Sequence, residues 1–128
     1  MAEKRGAIDH VTVGVSDLRA SRAFYEAALA PLGLTETLTA DVLPNEVEFG
    51  DGRGHPFAIS TDYPVGAPVH VAFGAGSIEQ VHAFYEAAIA AGGADNGAPG
   101  RRPQYSDRYY GAFVLDPDGH NIEAVTRI

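Results

Sequence analysis

Residues 10–33, HVTVGVSDLRASRAFYEAALAPLG, and residues 70–93, HVAFGAGSIEQVHAFYEAAIAAGG, align without a gap at an offset of 60. Eleven of the 24 positions are identical: His, Val, Gly, the block AFYEAA, a further Ala and the closing Gly. A duplication constrains architecture because each copy must build the same unit and bury the same face. Two copies are too few for a solenoid, so the pattern predicts a pseudo-twofold pair. The 128 residues then divide into a first module at 1–64 and a second at 65–128, sharing one compact domain.

Each copy opens on an alternating segment, 8–15 and 69–75. Val11, Val13 and Val15 point one way, and His10, Thr12 and Gly14 the other. A helix follows. Ser77 and Gln80 stand at capping-box spacing before the second, and Ser16 or Asp17 is placed to cap the first. On the first helix Leu18, Tyr25, Ala28, Leu29 and Leu32 form an apolar stripe opposite Arg19, Arg22 and Glu26. Packing that stripe on the valine face leaves the histidine face free, and the repeated AFYEAA block becomes helix core. Residues 34–40, 46–50 and 56–60 read as strands, as do 111–115 and 121–127 around the turn DPDGH. The Gly- and Pro-rich stretch 92–108 predicts a short or irregular strand, and 63–68 joins the halves. The fold class is α+β, two βαβββ modules related by duplication.

Composition narrows the function classes. With no cysteine there are no disulfides, thiolate metal sites or thiol nucleophiles, which fits a reducing cytoplasm. The net charge of −8 argues against nucleic acid, whose phosphates need a basic face. No apolar run reaches signal-peptide or membrane-span length, so a soluble cytoplasmic protein is expected.

The repeat places His10 and His70 on equivalent strands facing away from the helices. Such histidines are commonly core groups satisfied by hydrogen bonds, but twofold symmetry would bring this pair together. Glu123 lies in the apolar strand NIEAV, where a carboxylate is costly unless paired or metal-bound. Two imidazoles and a carboxylate with open positions left over suit one divalent ion: Fe, Mn, Ni, Co or Zn. The segment RRPQYSDRYY holds Arg101, Arg102 and Arg108, three of nine cations, and Tyr105, Tyr109 and Tyr110, three of six tyrosines. Arginine forks suit an anionic or aromatic small molecule, and a phenol can serve as acid, base or clamp. A solvated surface loop is the plain alternative. His55 and His120 in turns and His82 on a helix's polar side read as structural or solvent-facing. GAGSIE at 74–79 lacks the third glycine of a dinucleotide loop. The sheet edges left by paired modules predict a homodimer.

The segments IDHVTVGVSDLRASRAFYEAAL, VHVAFGAGS and FVLDPDGHNIEAV resemble the vicinal oxygen chelate superfamily across essentially the whole chain. That group holds glyoxalase I, extradiol dioxygenases, fosfomycin-inactivating transferases and metal-free bleomycin-resistance proteins. The resemblance implies a curved mixed sheet around a cleft, ligands at His10, His70 and Glu123, and a substrate chelated through neighbouring oxygens. It further implies a substrate contact at Thr12, as in the fosfomycin transferases. Superposing DGRGHPFAIS on DPDGHNIEAV at an offset of 65 puts Ala58 where glyoxalase I carries its fourth ligand and base. A dioxygenase- or transferase-like enzyme is therefore expected rather than glyoxalase I. A protein that sequesters a drug or metabolite is the alternative, which the intact triad disfavours.

Overall fold

The computed structural model describes residues 7–38, 43–54 and 56–128. The first module runs β1 (Val11–Gly14), α1 (Leu18–Leu29), a 3-10 turn (Ala30–Leu32), β2 (Thr35–Leu38), β3 (Glu46–Gly50) and β4 (Phe57–Ser60). The second runs β5 (His70–Gly74), α2 (Ile78–Ala90), β6 (Ala94–Arg101), β7 (Tyr109–Leu115) and β8 (Asn121–Arg127). The expected strand end at residues 39 and 40, and His55, lie outside the described residues.

Each module folds into a four-stranded mixed sheet, ordered β1-β4-β3-β2 and β5-β8-β7-β6. The strand opening each module lies parallel to the strand closing it, as a helical crossover requires. The other pairs are antiparallel hairpins. No helix among the described residues is long and apolar enough to cross a membrane.

Asp17 is the first helix's cap, its side chain accepting from Ala20 N at 3.1 Å. Ser77 caps the second by accepting from Gln80 N, but the Gln80 amide reaches back one residue too far for a capping box, to Gly76 N at 2.6 Å. The α1 stripe buries Tyr25, Ala28 and Leu29 as expected and adds Ser21 and Phe24. Leu18 and Leu32 pack at its margin.

One apolar core spans both modules, with Phe24, Tyr25 and Ala28 meeting Phe84, Ala88, Val114 and Ile122. Phe57 of β4 packs edge-on against Phe73 of β5 at 5.1 Å. A polar seam completes the join. His120, 1% exposed, takes Val69 N on Nδ1 at 3.0 Å and gives Nε2–H to Gly14 O at 2.9 Å. Asp116 in the same turn accepts from Tyr25 Oη at 2.5 Å and from the backbone N–H groups of Asp118 and His120.

The stretch expected to hold a short or irregular strand holds the eight-residue β6, the longest strand among the described residues. It is irregular, with register shifts between Asp95 and Gly97 and between Gly97 and Gly100. As the edge of its sheet it can hold Pro99 without breaking a central ladder.

Candidate functional site

The face of the second sheet turned away from α2 carries His70 and Ala72 of β5, Glu123 and Arg127 of β8, and Tyr109 and Phe113 of β7. Period-two alternation and the register, Ala72↔Glu123 and Phe113↔Glu123, put them there together. Glu123 is 1% exposed, and both of its oxygens are engaged. Oε1 meets His70 Nε2 at 2.9 Å, and Oε2 accepts from the Tyr109 hydroxyl. Burial, reinforced by the hydrogen bond to Glu123 and its charge, pushes the Tyr109 phenol up to about 12. Gly111 leaves the room this needs, since a Cβ there would stand 3.1 Å from Glu123 Oε2.

These groups open onto a cavity of about 440 Å³ lined by His70, Tyr105, Tyr109, Phe113, Glu123 and Arg127. Tyr105 stacks on Tyr109 at 4.9 Å, and the His70 ring lies 6.1 Å from Phe113. The Arg127 guanidinium covers the Tyr109 ring at 4.6 Å, and Arg102 covers Phe113 at 5.4 Å.

The other expected residues lie elsewhere. Tyr110 pairs with Arg101 on the opposite face and bonds His82 Nε2 at 2.7 Å. Arg101 reaches toward Asp107 O, and Arg108 gives Nε–H to Ile128 O at 2.8 Å. Segment 102–108 is a compact hairpin end closed by bonds from Tyr105 N and Ser106 N to Arg102 O. Arg127 and Phe113 went unread in the sequence. The signal for Arg127 was its even spacing from Glu123 along one strand, and for Phe113 the hairpin register set by DPDGH.

His10 stands apart from His70 and Glu123. The Gly14 end of β1 meets His120, whose neighbour Asn121 pairs with His70, while Phe57, the partner of Val11, touches Phe73. β1 and β5 are thus antiparallel neighbours, and the duplicated histidines sit at opposite ends. His10 is four residues from Gly14, roughly 13 Å of strand. Its Nδ1 meets Asp9 Oδ1 at 2.9 Å, and that hydrogen bond is the main cause of its raised pKa. Among the described residues no three His, Asp or Glu side chains come close enough to hold an ion.

The first sheet's equivalent face is differently furnished. Thr12 pairs with Ala58 as Ala72 pairs with Glu123, so strand register makes Ala58 the counterpart of Glu123. Glu48 lies across from Ala58 on β3 and Glu46 two residues away. The Glu46 carboxyl is raised, first by burial and then by its hydrogen bond to Glu48. Thr12 lies beside the linker, lining a cavity shared with Gly14, Tyr63 and His70.

No curated protein matches the chain. Among solved structures, a glyoxalase/bleomycin resistance protein from Albidiferax ferrireducens T118 is 34% identical, with a TM-score of 0.79, covering 96% of this chain and 100% of its own. The fosfomycin resistance protein FosX from Mesorhizobium loti is 20% identical with a TM-score of 0.66, covering 100% and 95%. The lactoylglutathione lyase from Agrobacterium tumefaciens is 19% identical with a TM-score of 0.68, covering 95% and 94%. These last two likenesses speak to fold alone. The family model described as Glyoxalase/Bleomycin resistance protein/Dioxygenase superfamily matches residues 7–124. Duplicated mixed sheets, a buried carboxylate on an open sheet face and a family match over nearly the whole length agree, and the chain belongs to the glyoxalase/bleomycin resistance protein/dioxygenase superfamily.

Proposed function

We propose that this is a metal-dependent enzyme acting on a small oxygen-rich substrate, closer to the dioxygenases and transferases of its superfamily than to glyoxalase I. The observation that carries this reading is Glu123, a buried carboxylate on an open face with an imidazole nitrogen 2.9 Å away. Such a group is costly to bury without a cation or donors to hold it. The donor set fits one divalent ion, Fe, Mn, Ni, Co or Zn, held by His70 and Glu123 of one copy and His10 of a second. A homodimer is therefore part of the proposal, because the antiparallel join keeps His10 from its own chain's pair. When bound, the ion would serve as a Lewis acid for a substrate chelated through neighbouring oxygens, or activate dioxygen.

The chain's own contribution is positioning and proton handling. The Tyr109 hydroxyl donates to Glu123, or to a substrate oxygen replacing that contact. The Tyr109 ring and those of Tyr105 and Phe113 form walls that suit a flat substrate. A second reading, sequestration of an apolar molecule, draws on a 590 Å³ cavity between β1 and β5 lined by Ile8, Val11, Leu34, Phe57, Val71 and Phe73. Metal analysis separates the two. The enzyme reading expects a bound divalent ion in the native protein and none in Glu123→Ala, whereas a native protein that takes up no ion on soaking with each candidate metal refutes it.

A further inference from the structure

Arg127 differs from Arg102, the other cation beside the cleft. It lies four residues beyond Glu123 on β8 and shares its face. Its guanidinium sits 4.6 Å over the ring whose hydroxyl donates to Glu123. Among the described residues no carboxylate forms an ion pair with it and no hydrogen bond takes its N–H groups. Arg102 is committed instead to the carbonyls of Ala98 and Arg101.

We infer that Arg127 reads an anionic group, a carboxylate, on the substrate, held one phenol ring's width from the metal-binding end of the cleft. This rests on the metal-centred reading above. Stacking on Tyr109 fixes the plane of the guanidinium, so a carboxylate meets a preset fork and less side-chain freedom is lost. The Tyr109 ring lies between Glu123 and Arg127 and therefore sets the spacing. The substrate it fits has paired oxygens at one end, an anionic group at the other and a flat spacer between. The chain as a whole repels anions at a net charge of −8, so an unpaired arginine in the cleft supplies selectivity that the general field opposes. Arg102 over Phe113 adds positive potential from the β6 side while its own donors stay on carbonyls.

The test uses Mn-loaded protein with two probes, 3,4-dihydroxybenzoate and catechol, differing only in a carboxylate across the ring from the paired oxygens. Calorimetry should find the carboxylate bound about tenfold or more tightly by the native protein. Arg127→Ala should bring the two affinities together, with Mn content and melting temperature unchanged, and Arg127→Lys should keep part of the preference. Equal affinities in the native protein, or an undiminished preference in Arg127→Ala, overturns the assignment. Benzoate titrated into metal-free protein separates the two claims. Benzoate binding lost in Arg127→Ala, together with no catechol binding to Mn-loaded protein, supports Arg127 and removes the metal-centred reading. Catechol binding with no carboxylate preference does the reverse.

Discussion

Glu123 and Tyr25 show how one residue's surroundings decide its role. Both are buried, and each is held by a partner on another strand or turn. His70→Ala or His10→Ala should abolish metal uptake and any metal-induced rise in melting temperature, measured by elemental analysis and thermal melts. Both imidazoles must be neutral to ligate. The Asp9 hydrogen bond raises the His10 pKa above 6.5, so protons should displace metal as pH falls through a value higher than an ordinary histidine would give. Asp9→Asn should move that midpoint down. Tyr25 is raised well above 10, by burial first and then by the charge and hydrogen bond of Asp116. A raised phenol contributes stability that is complete below its unfolded value and lost as pH climbs beyond it. Alkaline ultraviolet titration should therefore find Tyr25 among the late tyrosines, with Tyr109, and Tyr25→Phe should remove one late phenol from the curve. That variant should also lose about 1–3 kcal/mol in denaturant melts, because Asp116 Oδ2 forfeits its donor.

At the scale of elements, strand register carries the argument about reaction type. Thr12↔Ala58 repeats Ala72↔Glu123, so the first module offers a methyl group where the second offers a carboxylate. Moving a proton between adjacent carbons needs a positioned base, typically worth about 10²–10⁴ in rate. The protein should therefore turn over methylglyoxal–glutathione poorly with Ni, Zn, Co or Mn. A catalytic efficiency of about 10⁵ M⁻¹s⁻¹ or more would mean another carboxylate, Glu46 or Glu48 one strand over, does that work. The strands that fix this register were largely legible. β3 and β8 have the bounds their alternation predicts, and the offset of 65 between the two turns anticipates the pairing of Ala58 with Thr12. In β6 the glycines and Pro99 show as the expected irregularity rather than as shortening, because an edge strand tolerates both by shifting register. The RRPQYSDRYY segment meets the same limit. Sequence shows which residues cluster, but only the hairpin register reveals that Tyr109 and Tyr110 face opposite ways.

For the whole molecule, the repeat announces two histidines and a twofold relation but not the direction in which the modules join. That direction depends on His120, Asp116 and the Phe57–Phe73 contact, pairings between distant residues that no local pattern encodes. Joined antiparallel along β1 and β5, one chain separates His10 from the His70–Glu123 pair, and a twofold dimer is the simplest way to reunite them. Light scattering at micromolar concentration should give twice the chain mass. Mixing gives the sharper measurement. His10→Ala and Glu123→Ala should each bind no metal alone. Unfolded together and refolded, they should pair at random into dimers of which half are mixed. Each mixed dimer holds one site with both lesions and one with neither, so about one site in four should recover metal. Sites built within single chains would recover none, because every chain in the mixture carries one lesion. A mixture that stays metal-free while forming mixed dimers would place each site within a single chain, and metal retained by His10→Ala alone would place His10 outside the centre.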